Sequence, residues 1–364
     1  MMAAIVDSTR GYPVVRITSG GAVWQATLLR RIGTRDGSAL EFGAIRSVLM
    51  DDENTLYVVD HGYGALTVID SAGKFIQHIG RKGAGPGEFG SPYSVAWLND
   101  TLALLDPGNS RIGLFKKNGA WVGSWLTLRI SGGQFVRLYR TGSSFWSVGV
   151  RPAAPQPQTV YVHYGTAGPI DTLPLARVDM PNANIRCTTK QEGVSFFANP
   201  YGPQLIALPT PNGELFVARS DQYRLTFLTK SGDTSRVVER AWQPVPITDD
   251  EWAIAGKDFE SYREKWPSSA CDRSAFERPR NKPPLVSAFY DRRGMLWVET
   301  VALNGPIYDV FDPTGRLLAS VRGLPASGGI DPAFTDTRAA FVESDTSVTP
   351  TIQVYEILRR TDTR

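Results

Sequence analysis

Apolar residues along this chain fall in short runs of four or five, bounded by Asp, Asn, Ser and Gly. Between residues 47 and 79 four such runs follow one another: Ser47-Val48-Leu49-Met50, Leu56-Tyr57-Val58-Val59, Leu66-Thr67-Val68-Ile69 and Phe75 to Ile79. Asp51 to Asn54, Asp60 to Ala65 and Ser71-Ala72-Gly73 separate them. Short apolar runs between turn clusters predict β-strands. The next stretch keeps step, with Ser94 to Trp97, Leu102 to Asp106, Ile112 to Phe115 and Trp121 to Trp125. The connection ahead of each group is repeated too. Arg31-Ile32-Gly33 leads to Glu41-Phe42-Gly43, and His78-Ile79-Gly80 leads to Glu88-Phe89-Gly90. Both copies place the Glu eight positions after the Gly, and the copies lie 47 residues apart. A period of that length marks a repeat fold, and four strands per repeat is the pattern of a propeller blade.

Later copies are degraded. A third spans 133–176, with strands at Phe145 to Val148 and Val160 to Val162 and a Pro-rich loop over 151–158. A fourth has Gly213 to Val217, Arg224 to Leu228 and Ser231-Gly232, and a fifth has Gly294 to Val298 and Val310 to Gly315. The sixth offers only three strands, near 332–335, at Ala340 to Glu343 and at Ile352 to Tyr355. Trp24 to Ile32 precedes the first Glu-Phe-Gly as Phe75 to Ile79 precedes the second, so the N-terminus is expected to complete the last blade and close the ring. The predicted fold is all-β, a single six-bladed β-propeller of four-stranded blades over 20–360, with 1–19 as an N-terminal extension. One segment, 242–283, exceeds the period. It opens with the capping box Thr248-Asp249-Asp250-Glu251. Trp252, Ala255, Phe259, Tyr262 and Trp266 follow at spacings of three and four, before Pro267. This predicts an amphipathic helix inserted between blades four and five.

The second copy carries the most specific letters: Gly80, Gly83-Ala84-Gly85-Pro86-Gly87-Glu88-Phe89, then Asp106, Gly108-Asn109, Arg111-Ile112, Phe115 and Gly119. These resemble the NHL repeat, and the whole chain resembles a bacterial six-bladed β-propeller of the NHL-like group. In the first copy Ala39-Leu40 replaces the Pro-Gly, and Gly64-Ala65 the Asn-Arg pair. The resemblance implies the fold and little about activity. Such propellers are platforms for proteins, RNA or ligands and, more rarely, hydrolases or lyases.

Charge narrows the partners only slightly. The 39 basic and 36 acidic residues of this 364-residue chain leave a net +3, with no block of like charges, so no nucleic-acid footprint is indicated. No apolar stretch approaches 18 residues, so no membrane-spanning segment is expected. The first residues show no signal peptide, and an extracytoplasmic location is favoured if one has been removed.

The loops at one face of a propeller surround the channel mouth, and loops on a rigid scaffold are where ligands bind. The candidate ligand-binding residues there are Asp60, His61, Tyr63, Arg81, Lys82, Asp106, Asn109 and Arg111, joined by Trp252 and Tyr262 of the inserted helix. Asp60, Asp106 and Asn109 suit either a cation and general-base chemistry or backbone hydrogen bonding in turns. Arg111 suits an inter-blade strut as well as a ligand clamp. The Gly83 to Gly87 run lacks a Walker A ending. His61, His78 and His163 do not read as a three-histidine zinc site, and neither a Gly-x-Ser-x-Gly elbow nor a Ser-His-Asp arrangement is legible. Cys187 and Cys271 lie in neighbouring inter-blade connections and are either a disulfide or two free thiols. The leading reading is non-catalytic binding of an unknown protein or small-molecule ligand, with no catalytic residue assigned. Two alternatives stand beside it. One is a metal-assisted hydrolase or lyase built on Asp60, His61, Asp106 and Asn109, holding a divalent cation in the channel. The other is a structural or assembly component.

Overall fold

The computed structural model describes residues 3–19, 21–33, 40–127, 134–142, 144–151, 158–165, 168–174, 184–189, 193–271, 278–343 and 349–359. Most of the Pro-rich loop expected over 151–158 lies outside these residues.

Six antiparallel blades follow one another. The first runs over 45–79, the second over 94–126, the third over 134–174, the fourth over 205–240 and the fifth over 285–322. The sixth takes three strands, Ala333–Phe334, Arg338–Glu343 and Thr351–Leu358, from the end of the chain. Its outer strand is Ala22–Ile32, which pairs antiparallel with Thr351–Leu358 and closes the ring. The middle strands, such as Leu56–Asp60 and Ala65–Ile69, are buried at every position, whereas the outer strand Phe75–Ile79 is largely exposed.

The core lies between the blades. One apolar cluster joins blades one and two through Val59, Leu66, Val95 and Trp97. Others join two to three through Leu105 and Phe145, three to four through Trp146 and Val217, and four to five through Phe216 and Leu296. Phe289 and Phe334 join five to six, and Ile352 and Val48 join six back to one. Six clusters for six interfaces show that the circle is complete. No blade can bury its faces without both neighbours, which is why the repeat exists only as a ring.

The recurring letters have a packing cause. Gly80 has φ +74°, and a Cβ there would stand 2.2 Å from Cε2 of Phe89. Gly33 has φ +91°, and its Cβ would meet the Phe42 ring at 2.8 Å. Each Ile-Gly therefore turns into the inter-blade connection beneath the Phe of the following Glu-Phe-Gly.

Residues 3–19, read above as an extension ahead of the propeller, form the hairpin Ala3–Asp7 and Val14–Ser19. Val14–Ser19 lies parallel to Thr234–Arg240, the outer strand of blade four. The next strand pairs parallel with the edge of blade five before crossing to blade six. The N-terminus thus covers the outer edges of two blades and forms that of a third.

The helix, α1, spans Asp249–Lys265 and is capped by Thr248 and Glu251 in a complete capping box. It packs on a small sheet outside the blades, made of Asn184–Thr189, Gly193–Ala198 and Ala270–Cys271. Cys187 and Cys271 are cross-strand partners in that sheet and are joined by a disulfide. Phe259, with Tyr262 beside it, packs on the disulfide and on Phe197. Phe259 is the one aromatic of the helix face that is fully buried, while Ala255 is exposed.

Candidate functional site

The conspicuous polar residues of the inter-blade loops are engaged in holding those loops. Asp60, the last residue of its strand, accepts hydrogen bonds from the backbone N–H groups of Gly43 at 2.9 Å, Ala44 at 3.0 Å and Gly62 at 2.9 Å. Asp106 does the same one blade later. Its carboxylate accepts from the N–H groups of Gly90 at 3.0 Å and Ser91 at 2.7 Å, and from Asn109 Nδ2 at 2.7 Å. Both carboxylates have no exposed surface. Gly43 and Gly90 are the glycines of the two Glu-Phe-Gly motifs, so in both of these blades an Asp ties the incoming connection to the second strand.

The glycine-rich loop is held from the other side. Asn109 Nδ2 donates to the carbonyl of Gly83 at 2.9 Å, and Arg111 Nη2 donates to those of Gly85 and Glu88 at 2.7 and 2.6 Å. Glu88 accepts from Gly85 N–H and from Arg81 Nε, both at 2.9 Å, and these bonds hold its carboxyl below the usual glutamate range. His61 Nδ1 is 3.4 Å from the Pro92 carbonyl. Tyr63 is exposed with its ring stacked near His78, and Lys82 is exposed. Trp252 and Tyr262 sit on the helix, against Arg278 and Phe197 respectively.

None of these ten residues lines the central channel. That channel encloses a cavity of about 990 Å³ walled by the innermost strands of all six blades, a size suited to a small organic ligand. No residue of α1 lines it. Leu49, Tyr139, Tyr290 and Ile330, all partly exposed, supply apolar wall, and five arginines line the cavity with two aspartates. Arg46, Arg137 and Arg140 come from innermost strands, while Arg292 and Arg293 come from the tight turn after the innermost strand of blade five.

The aspartates are both committed. Asp291 Oδ1 accepts from the N–H groups of Arg293 and Met295 at 2.9 Å, and Oδ2 accepts from Trp297 Nε1 at 3.0 Å. Asp331 pairs with Arg137 at 2.6 Å, and Arg137 also donates to the Gly329 carbonyl at 2.7 Å. Burial pushes the Asp331 carboxyl up, with Arg137 opposing. Both side chains keep about a third of their surface open, 39% and 35%, so they line a wet channel deep within the protein rather than a dry core. Burial also pushes the neighbouring Tyr139 hydroxyl up to about 12.

Among the arginines, Arg292 pairs with Asp52 at 3.0 Å and Arg293 with Asp336. Arg140 donates through Nε to the Gly142 carbonyl at 3.1 Å. Arg46 has its guanidinium over the Tyr93 ring at 5.4 Å and has no acidic partner among the described residues. The stacking orients the planar group and leaves its edge donors for a ligand. The channel is therefore cationic and amphipathic, and Arg46 and Arg140 both lack an acidic partner among the described residues.

The repeat motifs pointed to connections, which are the best-patterned part of the chain. The channel comes from strands whose motif content is low. The available signal was a charged residue inside an apolar run, as in Ile45-Arg46-Ser47-Val48 and Val136-Arg137-Leu138-Tyr139-Arg140.

A family model described as a six-bladed β-propeller matches residues 34–116. No curated protein matches the sequence. Similar solved structures include a member of the DUF4221 family from Bacteroides vulgatus, 8% identical, covering 94% of this chain and 100% of that one with a TM-score of 0.47. Regucalcin, a calcium-binding protein from Agrobacterium tumefaciens, is 12% identical over 94% and 98% with a TM-score of 0.44. Virginiamycin B lyase from Staphylococcus aureus is 10% identical over 90% and 99% with a TM-score of 0.42. With six blades, six inter-blade cores and a closing N-terminal strand already in place, the protein is a six-bladed β-propeller.

Proposed function

We propose that this propeller is a binding module whose channel takes a small organic anion, with an apolar body against Leu49, Tyr290 and Ile330 and a carboxylate on Arg46. The observation that carries the reading is Arg46 itself: a guanidinium over the Tyr93 ring, lining a cavity whose two carboxylates are already engaged. Guanidinium–carboxylate pairs are bidentate and roughly twice as strong as neutral hydrogen bonds. The metal-dependent alternative has less support, because among the described residues no three His, Cys, Asp or Glu side chains are grouped to hold an ion. The disulfide supports a location in an oxidising compartment.

The test compares 2-naphthoate with neutral 2-naphthol by calorimetry. Naphthoate is expected to bind one per chain, with naphthol far weaker, and Arg46→Ala is expected to weaken naphthoate by about tenfold or more. Equal binding of the two probes, or an Arg46→Ala variant that binds as wild type, would overturn the reading. Asp331→Asn is expected to act in the opposite direction, since it removes the carboxylate that competes for Arg137. The same sign appears with pH. As pH falls through the raised Asp331 pKa, the carboxylate is neutralised, Arg137 is released, and affinity for a still-ionised anion rises.

A further inference from the structure

The third blade brings together three side chains that no sequence motif connects. Ser144 begins the strand Ser144–Arg151, His163 lies in Gln158–Gly165 and Asp171 in Gly168–Pro174. These are adjacent antiparallel strands. The register sets Trp146 opposite His163 and His163 opposite Asp171. Ser144 lies two residues from Trp146, so all four side chains share one face of the sheet. Ser144 Oγ is 2.6 Å from His163 Nε2, and His163 Nδ1 is 3.3 Å from Asp171 Oδ1. The carboxylate is close enough to pair with the ring but sits off the line of a straight hydrogen bond. The imidazole is stacked on Trp146, with centroids 4.5 Å apart and planes within 13°, which fixes its orientation.

We infer that Ser144, His163 and Asp171 form a hydrolytic centre for carboxylic esters, with Ser144 as nucleophile, His163 as general base and Asp171 as the group that positions the imidazole. Nucleophile–base contact and a third group on the far ring nitrogen are the geometric marks of such a centre. Burial pulls the His163 pKa down, Asp171 opposes this, and the charge of Lys230 assists it. The ring therefore carries one proton near neutral pH. The carboxylate beside Nδ1 draws that proton there and leaves the Nε2 lone pair facing Ser144. The hydroxyl has a second acceptor in the Thr141 carbonyl at 2.8 Å, so base engagement requires only rotation about one bond.

Attack of Ser144 Oγ on the ester carbonyl forms the O–C bond as Nε2 takes the hydroxyl proton and the carbonyl pair moves onto oxygen. Collapse breaks the bond to the leaving alkoxy group, which departs as the alcohol with the proton from Nε2. Water then attacks the acyl group, gives a proton to Nε2 and releases the acid, restoring Ser144. Lys230 is the cation available for the oxyanion. It borders Gly213 together with Thr141, at 3.4 and 3.8 Å from the position of a Cβ there. Gly142, two residues before Ser144, lines the channel, but Ser144, His163 and Asp171 do not, and the centre does not depend on Arg46.

The experiment treats the full-length protein with a fluorophosphonate probe and maps the adduct by peptide mass spectrometry, alongside hydrolysis of p-nitrophenyl butyrate. One adduct per chain is expected on Ser144, absent in Ser144→Ala. Hydrolysis is expected to fall about 10²-fold or more in Ser144→Ala and in His163→Asn. Asp171→Asn is expected to lower the rate and to shift the acid limb of the pH profile downward, because the charge that raises the His163 pKa is gone; a purely structural Asp171 would leave the profile in place. No adduct on Ser144, an adduct elsewhere, or undiminished hydrolysis by a Ser144→Ala variant with a wild-type melting curve would overturn the assignment. Naphthoate binding is measured on the same variants, so a failed hydrolytic centre and a failed channel site are told apart.

Discussion

Replacing Cys187 and Cys271 together by alanine is expected to destabilise the protein by about 4–5 kcal/mol, because the disulfide closes a loop with a sequence separation of 84. The loop contains the whole of blade four, 205–240, and the helix Asp249–Lys265. In the unfolded chain the cross-link removes the freedom of that entire segment, and in the folded state it lies beneath Phe259. A melting temperature lower by roughly 6 °C is the expected readout, with the same fall in wild-type protein treated with reductant. Neither cysteine lines the channel, so naphthoate affinity is expected to persist below the lowered transition. Coincident melts with and without reductant would show that the bridge adds nothing to stability.

Asp106→Ala is expected to cost roughly 3–5 kcal/mol, since it leaves three donors of a buried connection without their acceptor at about 1–3 kcal/mol each before water enters. The donors are the N–H groups of Gly90 and Ser91 and the amide of Asn109. Asp60→Ala is expected to behave alike, as its carboxylate also serves three backbone N–H groups. Asp106→Asn is the informative control. An amide keeps one acceptor oxygen, so it should recover part of the loss if hydrogen bonding is the cause. Denaturant unfolding measures all three. A loss in Asp106→Ala below about 1 kcal/mol would contradict the role assigned to it. A selective loss of ligand binding at unchanged stability would instead assign Asp106 to a binding site.

The recurrence of Ile-Gly and Glu-Phe-Gly was legible because it is local. A glycine at φ +74° under a phenylalanine ring, and an aspartate of the next hairpin bonded to the connection, must be rewritten in each copy that keeps the turn. The closing strand was legible for the same reason, as Trp24 to Ile32 stands at the right place ahead of the first motif. The capping box and start of the helix were also local, and the structure places Thr248 at its N-cap.

What the helix packs on was not local. Its aromatics were spaced along one face, yet of them only Phe259 is buried, because the surface that receives it is the narrow accessory sheet carrying the disulfide. That sheet joins residues 184–198 to residues 270–271, a pairing with no short-range signature. The channel arginines and the Ser144–His163–Asp171 cluster share this property. Arg46 and Arg137 come from different blades, and Ser144, His163 and Asp171 from three different strands of blade three. By itself, then, the order of residues determined the blade, its number and the closure of the ring, since turn chemistry and strand alternation act over a few residues. Only the tertiary structure decided which side chains meet in the channel and across blade three, because strand register and ring closure set those distances.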